Sequence, residues 1–260
     1  MKFNFFKAFS LFCLFFLIPK NIFTQVPNPQ SLLERWDRET SLEDGTYTVK
    51  IIGEGPALTE TDVILFSLGK FERFFIFLNS QGEAVSKFYS DSNNNGLYLS
   101  FKNRSNIFKL SMPESIEKEF AETSFSYYEL SGFQIEKTFT VENMDTYSTR
   151  DRKYWKVNVI PIVKNTYGKL TLYFERDTLN PYRIDFFSQN NILTKILRVR
   201  YGKILVESKD KKEEKRFINE YEMTFMENSE KSFVKLISLK KYPLPEKSLF
   251  NQKNLTFIND

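Results

Sequence analysis

From residue 45 onward, the chain is a succession of short segments rich in Val, Ile, Phe, Tyr and Thr, separated by turn clusters. Segments such as "TYTVKII" (46–52) and "RFFIFLN" (73–79) have the composition of β-strands. In "KLTLYFER", Leu170, Leu172 and Phe174 alternate with polar residues, as in a strand with one buried face. Links as short as "DTLN" and "SQNN" are too short for crossover helices. The sequence therefore predicts an antiparallel meander.

Two segments break the strand pattern and predict helices. Residues 31–40, "SLLERWDRET", place Leu32, Leu33 and Trp36 at helical spacing, with Gln30 or Ser31 as the N-cap. Residues 112–123, "MPESIEKEFAET", begin with a proline at a helix-entry position and predict a second short helix.

The predicted strands carry more apolar surface than a sheet with one solvated face needs. Phenylalanine occurs 28 times and aromatic residues make up 17% of the chain. A curved antiparallel sheet, or half-open β-barrel, with residues 31–40 and 112–123 as lid helices, would bury this surface and leave an apolar pocket. Since no Pro-, Gly- or Ser-rich linker interrupts residues 25–260, we expect a mainly β protein with a few helices in a single domain.

The first 24 residues have the layout of a secretory signal peptide. Lys2 and Lys7 precede a short apolar core that Pro19 ends. An uncleaved membrane anchor remains an alternative reading, whereas a lipid anchor on Cys13 is disfavoured because bulky residues precede that cysteine. We expect cleavage, export to the periplasm, and a mature chain without cysteine.

The composition argues against several classes of function. The chain has no histidine, which rules out a Ser-His-Asp triad and an imidazole-ligated zinc site. We therefore expect no enzyme, no metal and no cofactor. Loss of the signal would remove three lysines and no acidic residue from a chain of net charge +4. The nearly neutral remainder has no electrostatic footprint for nucleic acid.

Three short motifs resemble functional sites but have simpler interpretations. "DSNNNG" (91–96) opens like a calcium loop, yet the twelfth position is Lys102 instead of a glutamate, so a hairpin turn is favoured. "SKDKKEEKR" (208–216) mixes charges and reads as a solvated hairpin tip. "SFSYYEL" (124–130) contains Ser126 without a base beside it, so a structural segment is favoured over an esterase site.

A family resemblance rests on three segments. "SFSYYELSGF" (124–133), "YWKVNVIPIVKNTYGKLTLYFERDTLNPYRIDFFSQNNILTKILRVRYGKI" (154–204) and "LPEKSLFNQKNL" (244–255) are together similar to bacterial outer membrane lipoprotein-sorting proteins, the LolA-like group. The resemblance covers most of residues 30–255. Departures include "SYYEL" in place of an acidic pair, and Tyr98 near the position where a tryptophan is expected.

The resemblance implies a half-open sheet with lid helices and a periplasmic, non-catalytic carrier. Such a protein would hold acyl chains of lipoproteins or lipids in a concave pocket and aid outer-membrane sorting. It also implies an inner-membrane transporter as donor and an outer-membrane acceptor as partners, with the carrier itself a monomer. The alternative is a periplasmic sensor or accessory protein of the same fold that acts on a membrane partner.

The candidate ligand-binding residues are apolar side chains on the predicted lid helices and on the alternating strands of the second half. Alternation alone does not tell which sheet face is concave. The candidates are Trp36, Ile116, Phe120, Trp155, Val157, Leu172, Phe174, Ile184 and Phe186.

Overall fold

The structure is a computed structural model of the chain. It describes residues 26–54, 58–69, 72–91, 96–110, 120, 123–132, 134–162 and 167–257. The predicted signal peptide, nearly all of the predicted helix 112–123 with Ile116, and most of the "DSNNNG" turn lie outside the described residues.

Within the described residues, thirteen strands form one sheet. The first six strands are β1 (Gly45–Glu54), β2 (Leu58–Leu68), β3 (Glu72–Leu78), β4 (Ala84–Asp91), β5 (Gly96–Phe101) and β6 (Phe108–Leu110). The other seven are β7 (Phe139–Ser148), β8 (Lys153–Pro161), β9 (Tyr167–Glu175), β10 (Pro181–Ser188), β11 (Leu193–Glu207), β12 (Lys212–Phe225) and β13 (Lys231–Lys240).

The sheet consists of two antiparallel meanders that join in the middle. Strands β1 to β6 neighbour each other in chain order, and so do β7 to β13. The two meanders meet where β13 pairs with β1, from Thr46 opposite Lys240 to Glu54 opposite Lys231. The predicted open antiparallel sheet is confirmed, and β6 and β7 are its two ends.

One additional pairing shows that the sheet bends. Strand β11 pairs with β10 only through its first half, up to Arg198. Its last residues, 205–207, pair in parallel with residues 238–240 of β13, two strands away in the sheet order. A flat sheet keeps such strands about 9–10 Å apart, so this contact requires strong curvature.

The first predicted helix is confirmed, but its cap is different. Helix α1 spans Pro29–Thr40. Its N-cap is Asn28, whose side chain accepts a hydrogen bond from the backbone N–H of Gln30 at 2.9 Å. The prediction of Gln30 or Ser31 as N-cap was wrong because Pro29, which lacks an N–H, occupies the first helical turn without loss.

In the described residues between β6 and β7, two shorter helices follow the first meander, α2 (Tyr127–Ser131) and α3 (Ile135–Thr138). In α2, Ser126 and Glu129 form a capping box: the Ser126 hydroxyl accepts from the Glu129 N–H at 3.2 Å, and Glu129 accepts from the Ser126 N–H at 2.6 Å. Ser126 is fully buried in this role. The structural interpretation of "SFSYYEL" therefore matches the geometry.

The sheet has an inner face, defined here as the face covered by α1 and α2, and an outer face. In β3, Phe75 and Phe77 belong to the main core on the inner face, whereas Phe74 belongs to a second cluster on the outer face. The segment after β13, residues 241–257 and here called the C-terminal segment, covers that outer cluster through Phe250 and Leu255. Both faces of the first meander are thus buried, which accounts for its high apolar content.

Candidate functional site

An apolar cavity of about 100 Å³ lies between the inner face of the sheet and its helical cover. Strands from both meanders form the floor, and α1 with residues 125–132 forms the roof. The cavity therefore sits where the two meanders join.

The lining is predominantly aliphatic and aromatic. On the sheet side it comprises Val49, Ile51, Leu65, Arg73, Phe75, Ile184, Leu197, Tyr221, Met223, Val234 and Leu236. On the roof side it comprises Trp36, Thr40, Leu42, Phe125, Glu129, Leu130 and Gly132.

Helix α1 closes one side of the cavity through Trp36. This side chain is buried and packs edge-on against Phe174 of β9, with ring centroids 6.0 Å apart. The turn between β9 and β10 also holds the helix, because the Arg35 guanidinium donates a hydrogen bond to the carbonyl of Thr178 at 3.0 Å. The roof is therefore docked on the second meander.

Glu129 ties the other part of the roof to the sheet. Its carboxylate accepts a hydrogen bond from the Tyr167 hydroxyl at 2.5 Å, and Lys195 Nζ lies 3.4 Å from Oε2. Both charged side chains are nearly buried, at 3% and 8% exposure. A buried carboxylate with a cation and hydrogen-bond donors around it is a structural tie that holds α2 on the sheet.

Asp37 joins α1 to α3. Its two carboxylate oxygens accept hydrogen bonds from the backbone N–H groups of Ile135 and Glu136, each at 2.9 Å. These are the first N–H groups of α3, which lack partners within the helix. Burial raises the pKa of Asp37 to about 6, although the two backbone hydrogen bonds oppose the shift.

Arg73 of β3 is the polar exception on the cavity floor. It is 6% exposed, and no acidic side chain of the described residues forms an ion pair with it. Its Nε has no hydrogen-bond partner among the described protein atoms. Burial lowers the pKa of Arg73, against the favourable effect of the nearby Tyr221 and Tyr47 side chains. Burial of a cation without a charged partner lowers the free energy of unfolding.

Only part of the predicted ligand-binding set surrounds the cavity. Trp36 and Ile184 line it. Phe120 lies on the inner face and stacks on Phe77, with centroids 4.5 Å apart. Ile116 lies outside the described residues. The remaining candidates are buried in the main core without lining the cavity: Trp155, Val157, Leu172, Phe174 and Phe186. Ligand binding by the candidate set stays a prediction.

Sequence reasoning missed the first-meander side of the cavity. Arg73, Phe75 and Phe77 follow each other at the two-residue spacing of one strand face in "RFFIFLN". That spacing was visible, but Phe74 and Ile76 made the opposite face equally apolar. A single arginine on an otherwise apolar strand face was the signal that could have marked the position.

A second cavity, of about 520 Å³, lies on the other side of the sheet. The loop between β5 and β6 and the segment 255–257 line it, with Lys102 and Arg104 among the lining residues. Its wall is more polar than that of the inner cavity. The inner cavity is therefore the better candidate for an apolar ligand.

A family model described as "-like: Uncharacterized protein" matches residues 73–256. The chain belongs to this family. No curated protein matches the chain.

Solved structures show the same fold at low sequence identity. A LolA superfamily protein from Nitrosomonas europaea is 17% identical, with a TM-score of 0.69 over 88% of this chain and 100% of that chain. A domain provisionally named an outer membrane lipoprotein-sorting protein, from Vibrio parahaemolyticus, is 18% identical, with a TM-score of 0.68 over 88% of this chain and 99% of that chain. A DUF1329 family protein from Desulfovibrio piger is 14% identical, with a TM-score of 0.69 over 88% and 98%.

These likenesses confirm the resemblance drawn from the sequence: the fold is LolA-like. In the described residues, none of the helices is both long and apolar enough to span a bilayer.

Proposed function

We propose that this protein is a periplasmic carrier or binding protein that holds an acyl chain of a lipoprotein or lipid in the inner cavity. In this role it would aid outer-membrane sorting without catalysis. The observation that carries the proposal is an apolar cavity between an open, curved sheet and a small helical roof. The name of the similar Vibrio domain, which refers to lipoprotein sorting, supports the same class of ligand.

Burial supplies the binding energy in this mechanism. Each methylene group moved from water into an apolar site contributes about 0.8 kcal/mol, so an acyl chain gains affinity without a reactive group. The cavity of about 100 Å³ is smaller than the roughly 150 Å³ that accommodates benzene in an engineered protein core. A long chain therefore requires the roof to move away from the sheet.

The polar contacts that hold the roof helices are few enough to allow such a movement. The Glu129 contacts with Lys195 and Tyr167 hold α2, and Asp37 holds α3 to α1. A few polar contacts can break and reform together, whereas the continuous hydrogen bonding of the sheet keeps the floor fixed. Loading and release would then be coupled to opening of the roof.

The two tryptophans provide a direct test. Trp36 lines the cavity, whereas Trp155 is buried in the core away from it. Titration with dodecanoate and with a diacylated lipopeptide should change the fluorescence of the wild-type protein saturably. Trp155→Phe should retain the change and Trp36→Phe should lose it, with binding followed independently by calorimetry. Retention in Trp36→Phe together with loss in Trp155→Phe would place the ligand elsewhere, and no uptake of either probe would contradict the proposal.

A further inference from the structure

Three polar residues form a row across the inner face at one end of the apolar floor. In the register of the sheet, Arg73 lies directly opposite Ser67 of β2 on one side and Ser90 of β4 on the other. Side chains at directly opposite positions share one face of a sheet, with Cβ atoms about 4.5–5.5 Å apart. Ser67, Arg73 and Ser90, here called the Arg73 row, therefore point together toward the inner face.

The Arg73 row is buried, and two of its polar atoms have no hydrogen-bond partner among the described residues. Ser67, Arg73 and Ser90 are 1%, 6% and 5% exposed. Neither the Ser67 hydroxyl nor Arg73 Nε has a hydrogen-bond partner among the described protein atoms. Buried polar groups in native proteins nearly always have a partner, and an ordered water, an ion or a ligand group can supply it where the protein does not.

The next row of the floor is apolar. Leu65 and Phe88 lie opposite Phe75, two residues along from the Arg73 row on each strand. Arg73, Leu65 and Phe75 all line the cavity. A molecule lying along the strands would place its apolar part over Leu65 and Phe75 and its end beside Arg73.

We propose that the Arg73 row binds the anionic end group of a single-chain amphiphile whose acyl chain occupies the inner cavity. This inference rests on the proposed function and specifies the ligand class for the same cavity. A guanidinium presents two parallel N–H donors that match the two oxygens of a carboxylate or phosphate. The hydroxyls of Ser67 and Ser90 are additional donors on either side.

The Arg73 row differs from the other charged group at the cavity. Glu129 already has Lys195, Tyr167 and the Ser126 N–H around it, so its charge is compensated within the protein. Among the described residues, no acidic side chain pairs with Arg73, and its Nε has no hydrogen-bond partner. The site for a ligand charge is therefore at the Arg73 end of the cavity, and the sign of the ligand charge is negative.

Calorimetric titration with three probes of equal chain length tests the proposal: dodecanoate, dodecyl phosphate and dodecanol. The wild-type mature protein should bind at least one anionic probe about tenfold or more tightly than dodecanol, and the better of the two identifies the end group. Arg73→Met should remove this preference by lowering the affinity for the anionic probes relative to the affinity for dodecanol. The exposed Arg150→Met is the matched control and should behave as wild type.

The denaturation midpoint of Arg73→Met separates binding from structure. Since this substitution removes an unpaired buried charge, the variant should be at least as stable as wild type in urea. Equal binding of the anionic probes and dodecanol by wild type, or an Arg73→Met variant that keeps the preference, would overturn the inference and leave the proposed function intact. Failure of all three probes to bind would instead contradict the proposed function.

Discussion

Lys195 Nζ of β11 lies 3.4 Å from the Oε2 atom of Glu129 in the roof, and both side chains are more than nine-tenths buried. The pair links residues 66 positions apart, and its Glu129 member lines the cavity. The pair therefore connects the roof to the sheet.

Replacing Lys195 with Met should destabilise the protein by about 2–4 kcal/mol, because Glu129 would stay buried without its cation. The Tyr167 and Ser126 hydrogen bonds to Glu129 would limit the loss. Urea denaturation measures this change. The matched control on the same strand is Lys203→Met, which breaks an exposed pair with Glu214 and should cost less than about 1 kcal/mol. Equal effects of the two variants would contradict the role of the buried pair.

Gly132 lies against the guanidinium of Arg73. A Cβ on Gly132 would lie 2.7 Å from Arg73 Cζ, and the backbone of Gly132 has a φ of +77°. Gly82 has nearly the same φ, +78°, with no atom near its Cβ position. Gly82→Ala should therefore show only the backbone cost, about 1–2 kcal/mol, whereas Gly132→Ala should cost more and weaken binding of anionic amphiphiles. Identical costs in urea denaturation would mean that Arg73 moves aside freely.

Asp37 should make stability depend on pH in an unusual direction for a carboxylate. Its pKa in the folded protein, about 6, is above its ordinary value of 3.8 because of burial. Between these values the folded state binds a proton that the unfolded chain does not, so the Asp37 contribution is complete below pH 3.8 and lost as pH rises through 6. Asp37→Asn removes this titration, and the variant should gain stability relative to wild type as pH rises from 4 to 7.

The control for the pH experiment is Asp145→Asn, at an exposed position. The unfolding free energy of each protein is measured across the same pH range. A constant difference between Asp37→Asn and wild type would contradict the raised pKa of Asp37.

Substitutions on the two faces of the first meander should have similar effects on stability but different effects on ligand affinity. Leu255 is fully buried on the outer face, whereas Leu65 lines the cavity on the inner face. Substituting either leucine with alanine should cost about 2–5 kcal/mol in urea denaturation. Only Leu65→Ala should change the affinity for dodecanoate. A comparable change in affinity for Leu255→Ala would show that the ligand site extends beyond the inner face.

The sequence predicted the local structure better than the long-range pairing. Period-two alternation around Leu170 and Leu172 identified strands, and short links implied antiparallel neighbours. The pairing of β1 with β13 joins residues nearly 200 positions apart, and no local pattern encodes such a contact.

The cavity was only partly predictable for a related reason. Trp36 was found because helical spacing marks a buried stripe. On β3, however, Phe74 packs under the C-terminal segment while Phe75 faces the cavity, so both faces are apolar. The two faces of β3 differ only in that Phe250 and Leu255 pack on the outer one, and this packing is a tertiary contact.

Native mass spectrometry of the protein recovered from a bacterial periplasm would show whether the protein carries an acyl ligand. The full coding sequence is expressed, so that the measured mass also tests cleavage after residue 24. We expect additional mass that matches a lipid or an acylated peptide and is lost on extraction with organic solvent. A mass for the protein alone, with no uptake of added dodecanoate or lipopeptide, would contradict the carrier and favour an accessory role on a membrane partner.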